Sequence, residues 1–114
     1  GPLKTDGNYV LGKLGENLTL EQGYEAARLT AINLISTLKA SIGDLSKVKR
    51  IVRVTGMVNA TSNFTDHPKV VNGCSDLLVE VFGDNGKHTR AAVGMNSLPL
   101  NIAVEIDMVV EVYD

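Results

Sequence analysis

The chain has 114 residues, of which 44% are hydrophobic and 21% are charged, and its formal net charge is −2. This length suits one domain built around one core, so we expect a single domain over residues 1–114. A slightly acidic chain lacks the basic field that holds a polyanion, and we expect no nucleic-acid partner. No apolar run approaches the ~18 residues that a membrane span needs, which excludes a transmembrane protein of the helical class.

The first residues predict turns rather than regular structure. Gly, Asp and Asn crowd residues 5–17, which favours a turn, a short strand around Tyr9–Leu11 and then a loop. The opening "GPLKTDG" has no initiator Met and resembles the end of a strand that runs into a turn. Two interpretations stay open at this point: an upstream piece is missing, or Gly1-Pro2 is a cloning scar.

Two helices are predicted from caps and apolar spacing. Thr19 and Gln22 form a capping box, and Gly43 is a natural stop for the helix between them. The second helix covers Pro68–Phe82, with Asp66 as its cap. Apolar residues recur at helical spacing in the first helix at Ala27, Ala31, Leu34, Leu38 and Ile42, and in the second at Val71, Leu77, Leu78 and Phe82.

Three further strands are predicted at Ser46–Ala60, His88–Met95 and Ala103–Tyr113. The even-numbered valines of the first give one apolar face, and Ile51 and Met57 make its other face half apolar, so both faces need cover. In so short a chain, the second face of this strand should be covered by another subunit. The resulting order, β-α-β-α-β-β, predicts an α+β two-layer sandwich with both helices on one face of the sheet.

Arg90 and Glu105 are the candidate site residues. If the last two strands form a hairpin centred between Ser97 and Leu98, Arg90 lies opposite Glu105, on the face away from the helices; a centre one residue later makes the partner Asp107. A surface salt bridge is the simpler interpretation of such a pair. The functional interpretation is an arginine that grips a small carboxylate in an intersubunit cleft while the glutamate orients or deprotonates a water.

The remaining reactive side chains predict little chemistry. Cys74 is the only cysteine, which excludes an internal disulfide and predicts a reducing compartment, the cytoplasm. It is expected to be a packed residue of the second helix rather than a nucleophile. His67 and His88 have no carboxylate or thiol at ligand spacing, so we expect no metal and no other cofactor.

The segment "TRAAVGMNSLPLNIAVEIDMVVEV" resembles the C-terminal signature of the Rid family, the reactive intermediate deaminases also called YjgF-type proteins. The match runs from Arg90 to Glu105 without a gap. "GKLGENLTLEQGYEAARLTAINLISTLKASIGDLSKVKRIV" is similar to the family's first helix and following strand. "FTDHPKVVNGCSDLLVEVFG" is similar to the second-helix region of a branch with a longer insertion.

The resemblance implies a chorismate-mutase-like fold in a homotrimer with clefts between subunits. It also implies hydrolysis of enamine or imine intermediates, such as 2-aminoacrylate, to 2-oxo acids and ammonia without a cofactor. Arg90 would then bind the substrate carboxylate and Glu105 the water, and Asn72 in "VVNG" matches an asparagine near the cleft.

Two departures from the family pattern leave alternatives open. Ala92 stands where many members have a cysteine, so thiol-dependent behaviour is not expected. The family's first strands and its cleft tyrosine would lie upstream of Gly1. Their absence favours a non-catalytic, small-carboxylate-binding regulatory trimer as one alternative. An endoribonuclease is the other, although the sequence shows no basic groove.

Overall fold

The computed structural model describes all residues 1–114 as two helices packed on one three-stranded sheet. The elements are α1 (Leu20–Ile42), β1 (Val48–Asn59), α2 (His67–Phe82), β2 (Thr89–Met95) and β3 (Val104–Val112). The strand order is β2-β1-β3, with β1 parallel to β2 and antiparallel to β3. Short 3-10 turns occupy Leu45–Lys47, Gly83–Gly86 and Pro99–Asn101. The prediction of an α+β sandwich of two helices on a sheet is confirmed, and the sheet is mixed.

The predicted first strand is wrong. Tyr9 and Leu11 make only isolated bridges, to Leu3 and Ile102. Gly7 and Gly12 flank this segment with φ values of 87° and 120°, a backbone region that interrupts an extended strand. The segment therefore wraps the domain as turns rather than adding a fourth strand to the sheet.

The first helix begins and ends where its caps predicted, and the second begins one residue earlier than predicted, at His67, and ends at Phe82 as predicted. In α1 the Gln22 N–H donates to Thr19 Oγ1 (3.1 Å) and the Thr19 N–H to Gln22 Oε1 (2.9 Å), which completes the capping box. Asp66 occupies the N-cap position of α2, but its side chain makes no capping hydrogen bond and lies instead 3.8 Å from Lys69 Nζ. Neither helix combines the length and apolar composition that crossing a membrane requires.

Strand β1 supplies the centre of the core, with one departure from the predicted alternation. Ile51 is buried and Val52 is only half-buried, the reverse of what even spacing predicted. The pairing with β3 shifts register between Val48 and Arg50 and again between Ile51 and Arg53, and each shift inverts which side chains face the helices. Core residues from the other elements include Leu14, Ala27, Ala31, Val70, Val71, Leu78 and Val104.

The sheet face away from the helices is open in the single chain and partly apolar. Val93 on β2 and Val109 on β3 are 42% and 57% exposed. Met57 on the central strand β1 pairs with Val93 on one side and with Glu105 of β3 on the other, and Met57 and Glu105 are half-buried. An open sheet face that carries large aliphatic side chains is suited to a protein contact.

Candidate functional site

Arg90 lies on the helix face of the sheet, not on the face away from the helices as predicted. It pairs across the parallel strands with Val54, which is fully buried beneath the helices. Its side chain reaches α2, where Nη1 donates to Ser75 Oγ (3.1 Å) and Nη2 donates to the carbonyl oxygen of Pro68 (3.4 Å). Two contacts at the end of a long side chain fix the plane of the guanidinium.

The predicted pairing of Arg90 with Glu105 is wrong, and so is the alternative pairing with Asp107. Strand β1 lies between β2 and β3, and Glu105 pairs with Met57 of β1. Because Met57 is three residues from Val54, its side chain and that of Glu105 point to the opposite face from Arg90. Within one protomer the arginine and the glutamate are separated by the sheet.

The connection after β2 explains the error. The chain leaves β2 at Met95, passes the end of β1 and returns on its other side as β3. The Ala60 N–H donates to the Met95 carbonyl (3.1 Å) and the Asn59 N–H to the Ala103 carbonyl (2.9 Å), so the end of β1 holds both ends of this connection. The hairpin register from which the Arg90–Glu105 pair was predicted applies only to strands that are direct neighbours, and β2 and β3 are not neighbours in this sheet.

Arg90 and Asn72 do line one groove. This groove lies between α2 and the edge strand β2, has a volume of about 270 Å³, and is lined by Asn72, Ser75, Val79, Lys87, His88 and Arg90. The three residues from α2 are spaced by three and four and share one helical stripe, whereas His88 and Arg90 share one strand face. The groove is therefore built from one helix stripe and one strand edge.

Two of the residues that line this groove, Ser75 and His88, are hydrogen-bonded to each other. Ser75 Oγ lies 2.9 Å from His88 Nε2, and His88 Nδ1 lies 2.6 Å from the carbonyl oxygen of Gly86. Sequence reasoning missed this pair because it considered His88 only as a metal ligand. The spacing of Ser75 from Asn72, and of His88 from Arg90, was the signal that could have found it.

The groove is cationic. Its lining includes Lys87 and Arg90 and no carboxylate. Lys87 is ion-paired with the exposed Asp84 (3.0 Å) outside the groove, whereas the contacts of Arg90 are to neutral atoms. Arg90 is therefore a cationic donor whose contacts include no carboxylate, and such a donor is suited to a small anion.

Cys74 precedes Ser75 on α2 but contributes no nucleophile. Its side chain is fully buried, and burial raises the pKa of the thiol from its ordinary 9.0 to about 11, although the positive charge of Arg90 opposes the shift. A protonated thiol is a poor nucleophile. Nowhere in the chain do three His, Cys, Asp or Glu side chains lie close enough together to hold a metal ion.

Three larger cavities lie elsewhere, one of them about 410 Å³ beside Tyr24 and Lys69, and none is lined by a serine and a histidine that are hydrogen-bonded to each other. One of about 540 Å³ lies along α1, where Val10, Leu18 and Leu29 give it a largely apolar wall. Another of about 310 Å³ lies beyond the end of β2, where His67 packs edge-on against Phe64. The smaller groove at Arg90 is the candidate site because it alone joins a guanidinium to a hydrogen-bonded serine and histidine.

The chain is similar in sequence to a protein family and to individual proteins. The family model described as "YjgF/chorismate_mutase-like, putative endoribonuclease" matches residues 3–112. The chain is 43% identical over 111 residues to Protein TCP17 of Trypanosoma cruzi, covering 96% of this chain and 69% of that protein.

Solved structures give the same fold. Atu1372 of Agrobacterium tumefaciens, a protein of unknown function, superposes with a TM-score of 0.94 at 41% identity, over 97% of this chain and 71% of that one. A "putative endoribonuclease" from Shewanella oneidensis superposes with a TM-score of 0.91 at 36% identity, over 96% of this chain and 73% of that one.

Proposed function

Because the chain belongs to the YjgF/chorismate mutase-like family, we propose that it hydrolyses reactive enamines and imines, such as 2-aminoacrylate, to 2-oxo acids and ammonia. The reaction takes place without a cofactor in clefts between the subunits of a homotrimer. The lone, buried Cys74 fits a reducing compartment, and we assign the protein to the cytoplasm.

The observation that carries this proposal is the immobilised guanidinium in a cationic groove. Ser75 and Pro68 occupy two of the N–H donors of Arg90, and three donors remain to bind the carboxylate of a small substrate. Asn72, in the same groove, supplies an amide for the substrate's polar end. Fixing the carboxylate positions the imine carbon, and placement of this kind is a large catalytic contribution.

Glu105 orients the attacking water in this proposal, and its position argues for a shared cleft. Since the sheet separates Glu105 from Arg90 in one protomer, both can act on one substrate only where two protomers meet. The open sheet face that carries Val93, Glu105 and Val109 is the surface available for that contact. The homotrimer thus forms part of the proposed site.

The test is turnover of an imine generated in place. An amino acid oxidase converts an amino acid to its imine, semicarbazide traps the imine that remains, and free ammonia and 2-oxo acid are measured. The protein should accelerate ammonia release and reduce the yield of semicarbazone. Release at the uncatalysed rate, at protein concentrations that saturate binding of a 2-oxo acid, would contradict catalysis and favour the regulatory carboxylate-binding trimer.

The second candidate function is an endoribonuclease, which the names given to the family and to the Shewanella structure favour. The physical evidence weighs against it, because the net charge is −2 and the groove offers only two cations to a polyanion. Incubation with RNA in the presence of a chelator is the matching experiment. Cleavage that Arg90→Ala abolishes would support the nuclease.

A further inference from the structure

We infer that Ser75 and His88 carry out the proton transfers at the Arg90 groove, with the serine hydroxyl as the group that contacts the substrate and the histidine as the base behind it. This inference rests on the imine hydrolysis proposed above and adds two residues to it. It also gives each protomer its own proton acceptor, on the same side of the sheet as Arg90.

The hydrogen bonds fix the direction of the relay. The Gly86 carbonyl can only accept, so His88 Nδ1 carries the hydrogen and donates to it at 2.6 Å. In the neutral ring Nε2 is then an acceptor, and the Ser75 hydroxyl donates to it at 2.9 Å. Ser75 Oγ in turn accepts from Arg90 Nη1 at 3.1 Å. A hydroxyl held between a cationic donor and an imidazole acceptor is polarised toward giving up its proton.

The histidine is held in place by elements on both sides. Its ring is half-buried between α2 and the start of β2, and its Nδ1 contact closes the 3-10 turn Gly83–Gly86. Gly86 itself is buried against the Leu78 carbonyl of α2, where a Cβ would overlap that backbone oxygen. The ionisable groups around the pair are Arg90, Lys87 with its partner Asp84, and the buried Cys74.

The chemistry balances with this pair and water alone. For a substrate in the iminium form, water forms a C–O bond to the imine carbon while the C=N π electrons move to nitrogen. The water proton passes to Ser75 Oγ as the serine proton passes to His88 Nε2, which leaves a neutral carbinolamine and an imidazolium.

The same relay then runs in reverse. The imidazolium returns its proton through Ser75 to the amine nitrogen, the C–N bond breaks, and its electron pair leaves with ammonia. The hydroxyl proton passes to the departing ammonia as the carbonyl forms, and the products are the 2-oxo acid and ammonium. No electrons are gained or lost, so no oxidant or reductant is needed.

The test compares His88→Gln and His67→Gln in the imine assay. Glutamine can hold a hydrogen bond to Ser75 but cannot shuttle a proton, so kcat should fall by about 100-fold with KM changed less than about threefold. His67 packs on Phe64 outside the groove, and its variant should keep wild-type kinetics. Ser75→Ala should match His88→Gln, whereas Ser75→Thr, which keeps the hydroxyl, should retain most of the activity.

Chemical rescue separates proton transfer from a structural role. In His88→Ala, added imidazole should restore activity in proportion to its concentration of free base. A loss of activity without rescue, or a wild-type kcat in His88→Gln, overturns the inference. If the wild-type protein shows no turnover, the proposed function itself is wrong. If His88→Gln is fully active and Glu105→Gln is inactive, the proposed function holds and Glu105 is the base.

Discussion

Gly73 of α2 lies directly against the backbone carbonyl of Tyr24 on α1. A Cβ at Gly73 would overlap Tyr24 O and lie 3.0 Å from the Arg28 nitrogen, and neither backbone atom can move without shifting the helix. The missing side chain therefore sets the distance between the helices.

Gly73→Ala should destabilise the protein by about 1–3 kcal/mol, because overpacking outweighs the gain in helix propensity. In an exposed helix the same change stabilises by roughly 0.5–1 kcal/mol, so the sign is diagnostic. Gly23→Ala is the matched control, since its Cβ would meet side-chain methyl groups of Leu14 and Val70 rather than backbone atoms, and methyl groups shift at a lower cost than a helix backbone. Urea unfolding of both variants measures the difference, and an equal cost at the two positions would contradict this explanation.

Asn59→Ala should cost about 3 kcal/mol of unfolding free energy. The Asn59 amide is fully buried at the end of β1 and donates to Gly12 O (3.1 Å), Asn101 Oδ1 (3.0 Å) and Ile102 O (3.1 Å). Its removal leaves buried carbonyls without a donor. Asn63→Ala is the control, because Asn63 is exposed and its amide oxygen only accepts from Thr61 Oγ1. Thermal unfolding that shows the same midpoint for both variants would argue against the role of Asn59.

The contacts of Asn59 are also an example of structure that the sequence could not predict. The helices follow from local signals, because the capping box of Thr19 and the glycine at position 43 act within one turn of chain. The order of strands does not, since alternation in β3 shows which side chains share a face and not which strand lies beside it. The buried amide of Asn59, which binds Gly12 and the chain that leads into β3, has no local sequence pattern that predicts its contacts.

The candidate site, like the fold, was predicted from the sequence only in part. Arg90 and Asn72 were found from the sequence, because a family resemblance points to both, and they do share a groove. The orientation of Arg90 was wrong, since it followed from an assumed hairpin. Ser75 and His88 were missed because their hydrogen bond joins a helix stripe to a strand edge, a relationship that only the packing of α2 on β2 creates.

The thiol of Cys74 should make stability depend on pH in alkaline solution. Burial raises the pKa in the folded state to about 11 from an ordinary 9.0, so the unfolded chain releases its proton first. The stabilisation that comes from burying the protonated thiol is fully present below pH 9. It is lost as the pH rises toward 11, which lowers the free energy of unfolding by about 2–3 kcal/mol in total. Denaturant unfolding across this range, with Cys74→Ala as the control, measures it. A Cys74→Ala protein that loses the same stability between these pH values would assign the effect to other groups.

Arg90→Ala should lower kcat/KM for imine hydrolysis by at least about 100-fold, because a charge-assisted contact to a carboxylate contributes about 1.5–3 kcal/mol and a bidentate one more. Arg90→Lys should recover only part of this, since an ammonium cannot reproduce the planar fork. Arg28→Ala is the control: Arg28 lies on α1 and pairs with Glu80 of α2 at 3.3 Å, away from both the groove and the open sheet face. Turnover of 2-aminoacrylate at the wild-type rate in Arg90→Ala would refute the assignment.

Val109→Lys should dissociate the proposed homotrimer. Val109 is 57% exposed on the open sheet face, where it belongs to the edge strand β3, and a lysine there would bury a charge in any interface formed through that face. Val81→Lys is the matched control, because Val81 is 44% exposed near the end of α2, away from the open sheet face. Sedimentation should give a protomer mass for the first variant and an assembled mass for the second. Since the shared cleft requires two protomers, the first variant should also lose imine hydrolysis while keeping its secondary structure; an active, monomeric Val109→Lys would show that one protomer suffices.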